Sequence, residues 1–374
     1  MKVLQVSYLN PLNDYGGVEK YVLDLSKMLS SGFGFSVDIL CADISEREID
    51  GPFGKIFLLK TPLFKRRGVF FIAKYLYGKR VKNFLINRFK DYDVIHFHGD
   101  NGLIDKKYSN ISILTLHGVA IIGSSIVSKI ISYLPYRIEK NNVKNAKFVF
   151  SVSKEAAGYF HKIRSDIIYI KQSIDTSKYH VPNKNERKEA RTILGFNDDD
   201  IIGIIIGREP KRKGLYIAIN AIMVLSDDRI KLVAIGFPVP PNSYEKVLFT
   251  GDLTEDKKLL YLFAADFFIL PSAKEGFPIS ALEAATCGLS LIVSNQAGVS
   301  ELSNIVPFYR EISSHDPNDY KSALREFIAY YSNSYFEKES FNNNKLSQYS
   351  NFNMAAIYVD AYRNIRKSVN KGIT

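Results

Sequence analysis

Cysteine is scarce in this chain of 374 residues, where Cys41 and Cys287 stand alone and far apart. Two such residues provide neither a disulfide framework nor the paired spacing of a zinc site, and a reducing compartment is the expectation. Long apolar runs are missing too: none approaches the roughly 18 to 20 residues that cross a bilayer. The opening MKVLQVSYLN has no basic segment, apolar core or cleavage site of a secretory leader and reads instead as a first β-strand. A cytoplasmic protein is expected, peripheral to the cytoplasmic membrane face at most.

Negative charge is absent from one stretch. No Asp or Glu lies between Asp50 and Asp91, while eleven Lys and Arg from Lys55 to Lys90 fall there, enough to account for the whole formal charge of +11. Phe64, Phe70, Phe71, Tyr75, Tyr77, Phe84 and Phe89 interleave with these cations. Residues 55–90 therefore suit an interfacial helix on an anionic membrane surface or a groove for a phosphorylated acceptor; a solvated basic face with aromatics packed beneath it fits equally.

What is present is an ordinary globular composition, 46% apolar and 24% charged, in a chain long enough for two domains. Short apolar, β-rich runs alternate with helical patterns, as in βα units of a parallel sheet. VLQVSYL, FSVDILCA, DVIHFHG, SILTLHG and KFVFSVS form a first series; IIGIIIG, IKLVAIG, KVLFTG, DFFILP and LSLIVSN form a second. The polar stretch QSIDTSKYHVPNKNERKEA between them reads as a linker. The expected fold is α/β, two Rossmann-like doubly wound parallel-sheet domains facing across a cleft. The expected boundaries are 1–172 and 173–354. In such sheets ligands collect beyond the carboxyl ends of the strands, so the loops there hold the candidates.

Gly16 and Gly17 open the first helix and permit a phosphate to approach its amides, though a glycine pair is also ordinary turn geometry. His96, His98 and His117 end two strands; His96 and His98 share one side of theirs, and no third ligand of suitable spacing supports a metal site. GREPKRKG crowds Arg208, Lys211, Arg212 and Lys213 into one strand exit, where an anion such as a diphosphate relieves their repulsion. Arg208 and Lys213 are the favoured pair; Lys211 and Arg212 fit a solvated turn. In KEGFPISALEAATCG, Pro278 is placed as the first residue of a helix closed by Gly288, with Ile279, Leu282 and Thr286 inward and Glu283 at the margin. Glu275 precedes the helix. The two carboxylates read as a helix-dipole partner and a surface charge, or as the two ends of a ligand site with amides of residues 276 to 279 between them.

The run LLYLFAADFFILPSAKEGFPISALEAATCGLSLIVSNQAGVSEL resembles the donor site of retaining GT-B glycosyltransferases of family 4 (group 1), which carry two glutamates separated by seven residues, as Glu275 and Glu283 are. NDYGGVEKYV, DVIHFHG, TLHG, SVSKEAA, GREPKRKG, VLFTGDL and AAIYVDAYRNI fall in family order. The resemblance implies a metal-independent transfer of a hexose from a UDP- or GDP-linked sugar to a glycan or lipid-linked acceptor, with no further cofactor and no nucleic acid. It implies that Glu275 contacts the donor sugar and Glu283 the ribose, that Arg208 and Lys213 hold the diphosphate with amides at Gly16, Gly17 and the start of the 278 helix (Gly276, Phe277, Pro278, Ile279), that Leu253 lies by the nucleobase, and that His117 lies near the sugar and acceptor. It also sends the terminal helix, 355–374, back onto the first domain. The usual EGFG is EGFP here, which removes the amide at Pro278. A non-hydrolysing nucleotide-sugar epimerase, a basic nucleic-acid-binding protein and a non-catalytic partner of another transferase are the alternatives.

Overall fold

Alternating apolar residues in short strands predict sheets covered on both faces, and the computed structural model has two of them. It describes residues 1–12, 16–66, 69–118, 126–241, 244–333 and 345–371. The chain divides into one unit of Met1–Ser173 with Asn351–Thr374 and another of Ile174–Ser350.

The first unit contains β1 (Lys2–Val6), β2 (Ser36–Asp43), β3 (Arg47–Asp50), β4 (Lys55–Lys60), β5 (Val94–His98), β6 (Ser112–Leu116), β7 (Phe148–Ser151) and β8 (Ile168–Tyr169). They lie in the order β3-β4-β2-β1-β5-β6-β7-β8. All pairings are parallel except the edge pair of β3 with β4. The order reverses between β1 and β5, because the chain builds outward from β1 through β2 and then returns to its other side. Alternate residues feed opposite faces: Leu4 and Val6 enter one core, Val3 the other. Helix Asn351–Lys371 covers the second of these with Met354, Ala355, Tyr358, Tyr362 and Ile365, a spacing that puts them on one helical face.

The basic stretch is not one helix. Residues 55–60 form β4, whose Ile56, Phe57, Leu58 and Leu59 are buried; the flanking lysines hide a strand in what reads as a charged run. Helix Phe70–Arg88 follows, burying Ala73, Tyr77, Val81 and Leu85. Phe70, Phe71, Ile72 and Tyr75 stay exposed, while Phe64, Phe84 and Phe89 pack against the core. The aromatics thus divide between a packed set and an exposed set. Arg67 lies outside the described residues.

The second unit contains β9 (Ile201–Ile206), β10 (Ile230–Ile235), β11 (Val247–Gly251), β12 (Phe267–Leu270), β13 (Ser290–Ser294) and β14 (Tyr309–Ile312). Their order is β11-β10-β9-β12-β13-β14, parallel throughout. Phe268 and Leu270 enter one core, Phe267 and Ile269 the other. Here the order reverses between β9 and β12.

The last seven residues of the expected linker belong to a helix of this unit, Lys184–Leu194, with a capping box between Asn183 and Glu186. Its sequence looks like a linker because its anchors are arginines. Arg187 and Arg191 donate to the buried carboxylate of Asp266 at 2.5 and 2.9 Å, and Arg191 also donates to the carbonyls of Ala264 and Asp200. A buried, fully paired guanidinium takes the place of the apolar stripe that periodicity detects.

Candidate active site

Ligand-binding loops gather where strand order reverses, and in the second unit that point joins the exits of β9 and β12. Beyond β9 the chain passes Gly207 into a short helical turn, Pro210–Lys213, closed by Gly214 in the left-handed region. Glycine is needed there: at φ +71° a Cβ would lie 2.1 Å from the carbonyl oxygen of Pro271. This close approach holds the cationic turn against the β12 exit.

Lys213 Nζ lies 2.8 Å from Glu275 Oε1, and Arg212 Nη1 lies 2.8 Å from the same oxygen. The Lys213 and Glu275 side chains are only 10% and 9% exposed. Partial burial opposes the charge of Arg212, but the carboxylates of Glu275 and Glu209 outweigh it and raise the guanidinium pKa. Arg212 is therefore a correction: a solvated-turn cation by sequence, it joins Lys213 at the carboxylate. Arg208, the expected partner of Lys213, instead extends to Asp252 at 3.3 Å, with both side chains mostly exposed.

The Glu275 amide donates to the Gln296 carbonyl at 2.9 Å. Gly298, at φ +67°, lets the Gly276 carbonyl approach to where a Cβ would stand 2.8 Å away. The Ala297-Gly298 turn thus supports the glutamate loop. Phe277 and Pro278 are buried and Gly276 is exposed. Pro278 is the N-cap, with Ile279, half-buried, as the first residue of helix Ile279–Thr286. Ser272, in the same β12 exit, is fully buried, and its hydroxyl has no hydrogen-bond partner among the described residues; a lone serine carries no sequence signal.

Glu283 is not marginal. It is 3% exposed and accepts from Lys258 Nζ at 2.9 Å. Lys258 also reaches Glu255, which accepts from the Tyr179 hydroxyl at 2.5 Å. Burial with a cation excludes the surface-charge reading and fixes the carboxylate's orientation. Leu253, just past β11, is half-buried against this unit's core.

In the first unit the reversal point holds a cavity of about 330 Å³ lined by residues of the β1, β5 and β6 exits, among them Tyr8, His98, Asn101 and His117. His98 bridges His117 at 3.0 Å and Gln5 at 2.7 Å. The stacked His96 ring bridges Tyr362 and Thr115, each at 2.7 Å. Burial drives His96 and His98 well below the ordinary imidazole pKa; burial and then the Lys74 ammonium push His117 down to about 3. All three are neutral at pH 7 and act as hydrogen-bonding groups. Among the described residues no group of three or more His, Cys, Asp or Glu is placed to hold a metal ion. Gly16 is the N-cap of helix Gly17–Lys27, and a Cβ there would lie 2.1 Å from Glu19 Oε2. Glu19 thus brings its own anion to that helix N-terminus, and a phosphate at Gly16 and Gly17 has to compete with it.

No helix among the described residues is long and apolar enough to cross a membrane. Residues 186–304 match the family described as glycosyl transferases group 1, and residues 15–178 match glycosyltransferase family 4. TuaC of Bacillus subtilis, named for teichuronic acid biosynthesis, is 29% identical over 56% of this chain; the match spans 55% of TuaC, little more than half its length. An uncharacterised glycosyltransferase of Methanocaldococcus jannaschii is 26% identical over 88% of each chain. The Escherichia coli UDP-Gal:alpha-D-GlcNAc-diphosphoundecaprenol alpha-1,3-galactosyltransferase is 32% identical over 35% of this chain and 37% of its own. Among solved structures, sucrose-phosphate synthase of Thermosynechococcus elongatus superposes with a TM-score of 0.77 at 18% identity, covering 98% of this chain and 99% of that one. With two family matches spanning most of its length and this fold, the chain belongs to the group 1, family 4 glycosyltransferases and has their GT-B architecture.

Proposed function

We propose that the protein is a retaining hexosyltransferase that uses a UDP- or GDP-linked sugar and an acceptor hydroxyl on a lipid-linked or membrane-proximal glycan. The observation that carries this reading is the junction of Arg212, Lys213 and Glu275 at the second unit's strand reversal. As the bond from the anomeric carbon to the diphosphate oxygen breaks, its electron pair passes to the diphosphate. Lys213 and Arg212 stabilise that growing charge more than they stabilise the intact donor, which is the catalytic effect. The cations move from Glu275 to the phosphates, and the freed carboxylate accepts from the donor sugar's hydroxyls. Arg208, Ser272 and the amides of Gly276, Phe277 and Ile279 complete the diphosphate contacts. Glu283, held by Lys258, accepts from the ribose, and Leu253 flanks the base. These side chains supply the charge a divalent metal would otherwise provide.

The acceptor belongs to the first unit's cavity, where neutral His117 orients the hydroxyl. The departing phosphate takes the acceptor proton on the face it leaves, which gives retention. Support for a lipid-linked acceptor comes from the relative named for a diphosphoundecaprenol substrate and from the exposed Phe70, Phe71, Ile72 and Tyr75, which with Lys79 and Arg80 would sit on an anionic cytoplasmic membrane face.

Thermal stabilisation by UDP-, GDP- and ADP-sugars tests the donor, and the anomeric configuration of the product tests retention. Lys213→Ala should abolish the stabilisation by its diphosphate. An inverted product, or no stabilisation of the native protein by any nucleotide sugar, would overturn the reading.

A further inference from the structure

Gln5, His98 and His117 of the first unit are hydrogen-bonded in series, and one end of the series has a fixed role. Gln5 on β1 has no exposed surface, and its Oε1 lies 2.7 Å from His98 Nε2. An amide oxygen only accepts, so His98 Nε2 carries the hydrogen. A neutral imidazole has one ring hydrogen, so His98 Nδ1 is a bare acceptor. His117 Nε2, 3.0 Å away, must donate to it. That leaves His117, neutral as well, with an unprotonated Nδ1. His117 makes no other hydrogen bond among the described residues and lines the cavity. Nδ1 is therefore the ring nitrogen it offers to a ligand there, and that atom can only accept.

The direction of the Gln5 amide decides this outcome, because the reverse direction would run every donor backwards and place a hydrogen on His117 Nδ1. The Gln5 side chain acts as a donor towards the Tyr362 hydroxyl, opposing the rise that burial and Tyr358 give that phenol's pKa, although Nε2 reaches full hydrogen-bond geometry with no described residue. A donor end towards Tyr362 leaves the acceptor end towards His98. The rings themselves are held in place. His96 is stacked on His98 with ring centroids 4.3 Å apart and is tied at both nitrogens, to Tyr362 and to Thr115. Tyr21 packs edge-on against His117 at 5.0 Å, and its hydroxyl is bonded to that of Tyr358 at 2.9 Å. Rings fixed in this way change role only by moving a hydrogen, and buried polar networks of this kind specify one arrangement.

We propose that Gln5 and His98 are positioning residues that hold His117 in its Nε2–H form, so that the cavity presents His117 Nδ1 as a hydrogen-bond acceptor to which a sugar hydroxyl donates. The inference rests on the glycosyltransferase reading for the sugar; it adds the direction of the hydrogen bond and the residues that set it. With a pKa of about 3, the imidazole orients the hydroxyl without removing its proton. The hydroxyl oxygen, having given its hydrogen to His117, keeps its lone pairs for another partner.

The test is nitrogen NMR of the full chain labelled with 15N-histidine at pH 7, where protonated and bare ring nitrogens resonate far apart. In the native protein His98 and His117 should each carry hydrogen on Nε2 alone, with a coupling across the bond from His117 Nε2 to His98 Nδ1. Gln5→Met removes the acceptor and strands the His98 Nε2 hydrogen in the core. Hydrogen should then move to Nδ1 of both rings in about half of the molecules or more; a Gln5 with a merely structural role would lower stability without changing which nitrogen is protonated. Octyl glucoside, octyl mannoside and octyl N-acetylglucosaminide, below their micelle concentrations, probe the ligand side. At least one should shift the native His117 Nδ1 resonance and bind about fivefold or more weaker to Gln5→Met. Hydrogen on His117 Nδ1 in the native protein, or ring protonation indifferent to Gln5→Met, would overturn the proposal, and the native spectrum decides even if the variant does not fold. No glycoside shifting His117 Nδ1 would overturn its contact with the sugar. Thermal stabilisation by nucleotide sugars keeps the two ideas apart: if it fails while the ring protonation is as expected, the donor reading falls and the roles of Gln5 and His98 stand.

Discussion

Lys213 and Glu275 are joined by a 2.8 Å ion pair, although they leave different strands, and each side chain is about nine-tenths buried. The same carboxylate oxygen also takes Arg212. A carboxylate gripped by two cations resembles the charge arrangement a diphosphate would demand, so the two anions compete for the same donors.

Glu275→Gln separates these roles. The neutral amide no longer competes for Lys213 and Arg212, so UDP or GDP should bind as well as before or more tightly in a titration. Sugar transfer should fall by about a hundredfold or more, because the sugar loses its charged acceptor. Nucleotide diphosphate binding weakened by about tenfold or more would instead make Glu275 an organiser of the cations and refute its contact with the sugar.

Asp266 has no exposed surface and accepts from Arg187, Arg191, the Ile202 amide and the Tyr331 hydroxyl. Asp266→Asn leaves the buried Arg191 without its counter-charge and should destabilise the second unit by about 3 to 5 kcal/mol. Urea unfolding of the variant measures this. A loss below about 1 kcal/mol would show that carbonyl oxygens alone can satisfy the arginine.

The buried histidines predict an acid-sensitive fold. In the unfolded chain His96, His98 and His117 take up protons near their ordinary value of 6.5, whereas burial keeps the folded-state values lower, about 3 for His117. The unfolded state therefore binds more protons below 6.5, and stability present above that pH is lost as pH falls towards 3. Each histidine contributes up to about 1.4 kcal/mol per pH unit. Urea midpoints between about pH 7.5 and about pH 5 should drop accordingly, and less steeply in His98→Gln. A flat profile would contradict neutral burial of these rings.

Exposed Phe70, Phe71, Ile72 and Tyr75 beside Lys79 and Arg80 predict binding to anionic vesicles. With about 1 kcal/mol per cation at such a surface, the double change Lys79→Ala and Arg80→Ala should weaken phosphatidylglycerol vesicle co-sedimentation by about thirtyfold. Unchanged binding would move the membrane contact elsewhere.

The sequence by itself determined the alternation of strands and helices, the two doubly wound series and the spacing of Glu275 and Glu283, because burial on two sheet faces imposes a period that local residues must obey. It also put Lys213 in a strand exit. Only the tertiary structure decided which cation meets Glu275: Arg212 and Arg208 look alike in a basic loop, and the choice follows from the approach of Gly214 to Pro271. Strand β4 and helix Lys184–Leu194 escaped notice because their charged residues either flank the buried ones or are themselves buried in ion pairs. The lining of the first unit's cavity was equally invisible, since Glu19, Asp100 and Glu139 come from separate loops and helices and a linear reading assigns them no common location. Local pattern follows from side-chain chemistry repeated along the chain, whereas a site is defined by which distant residues the strand order makes neighbours.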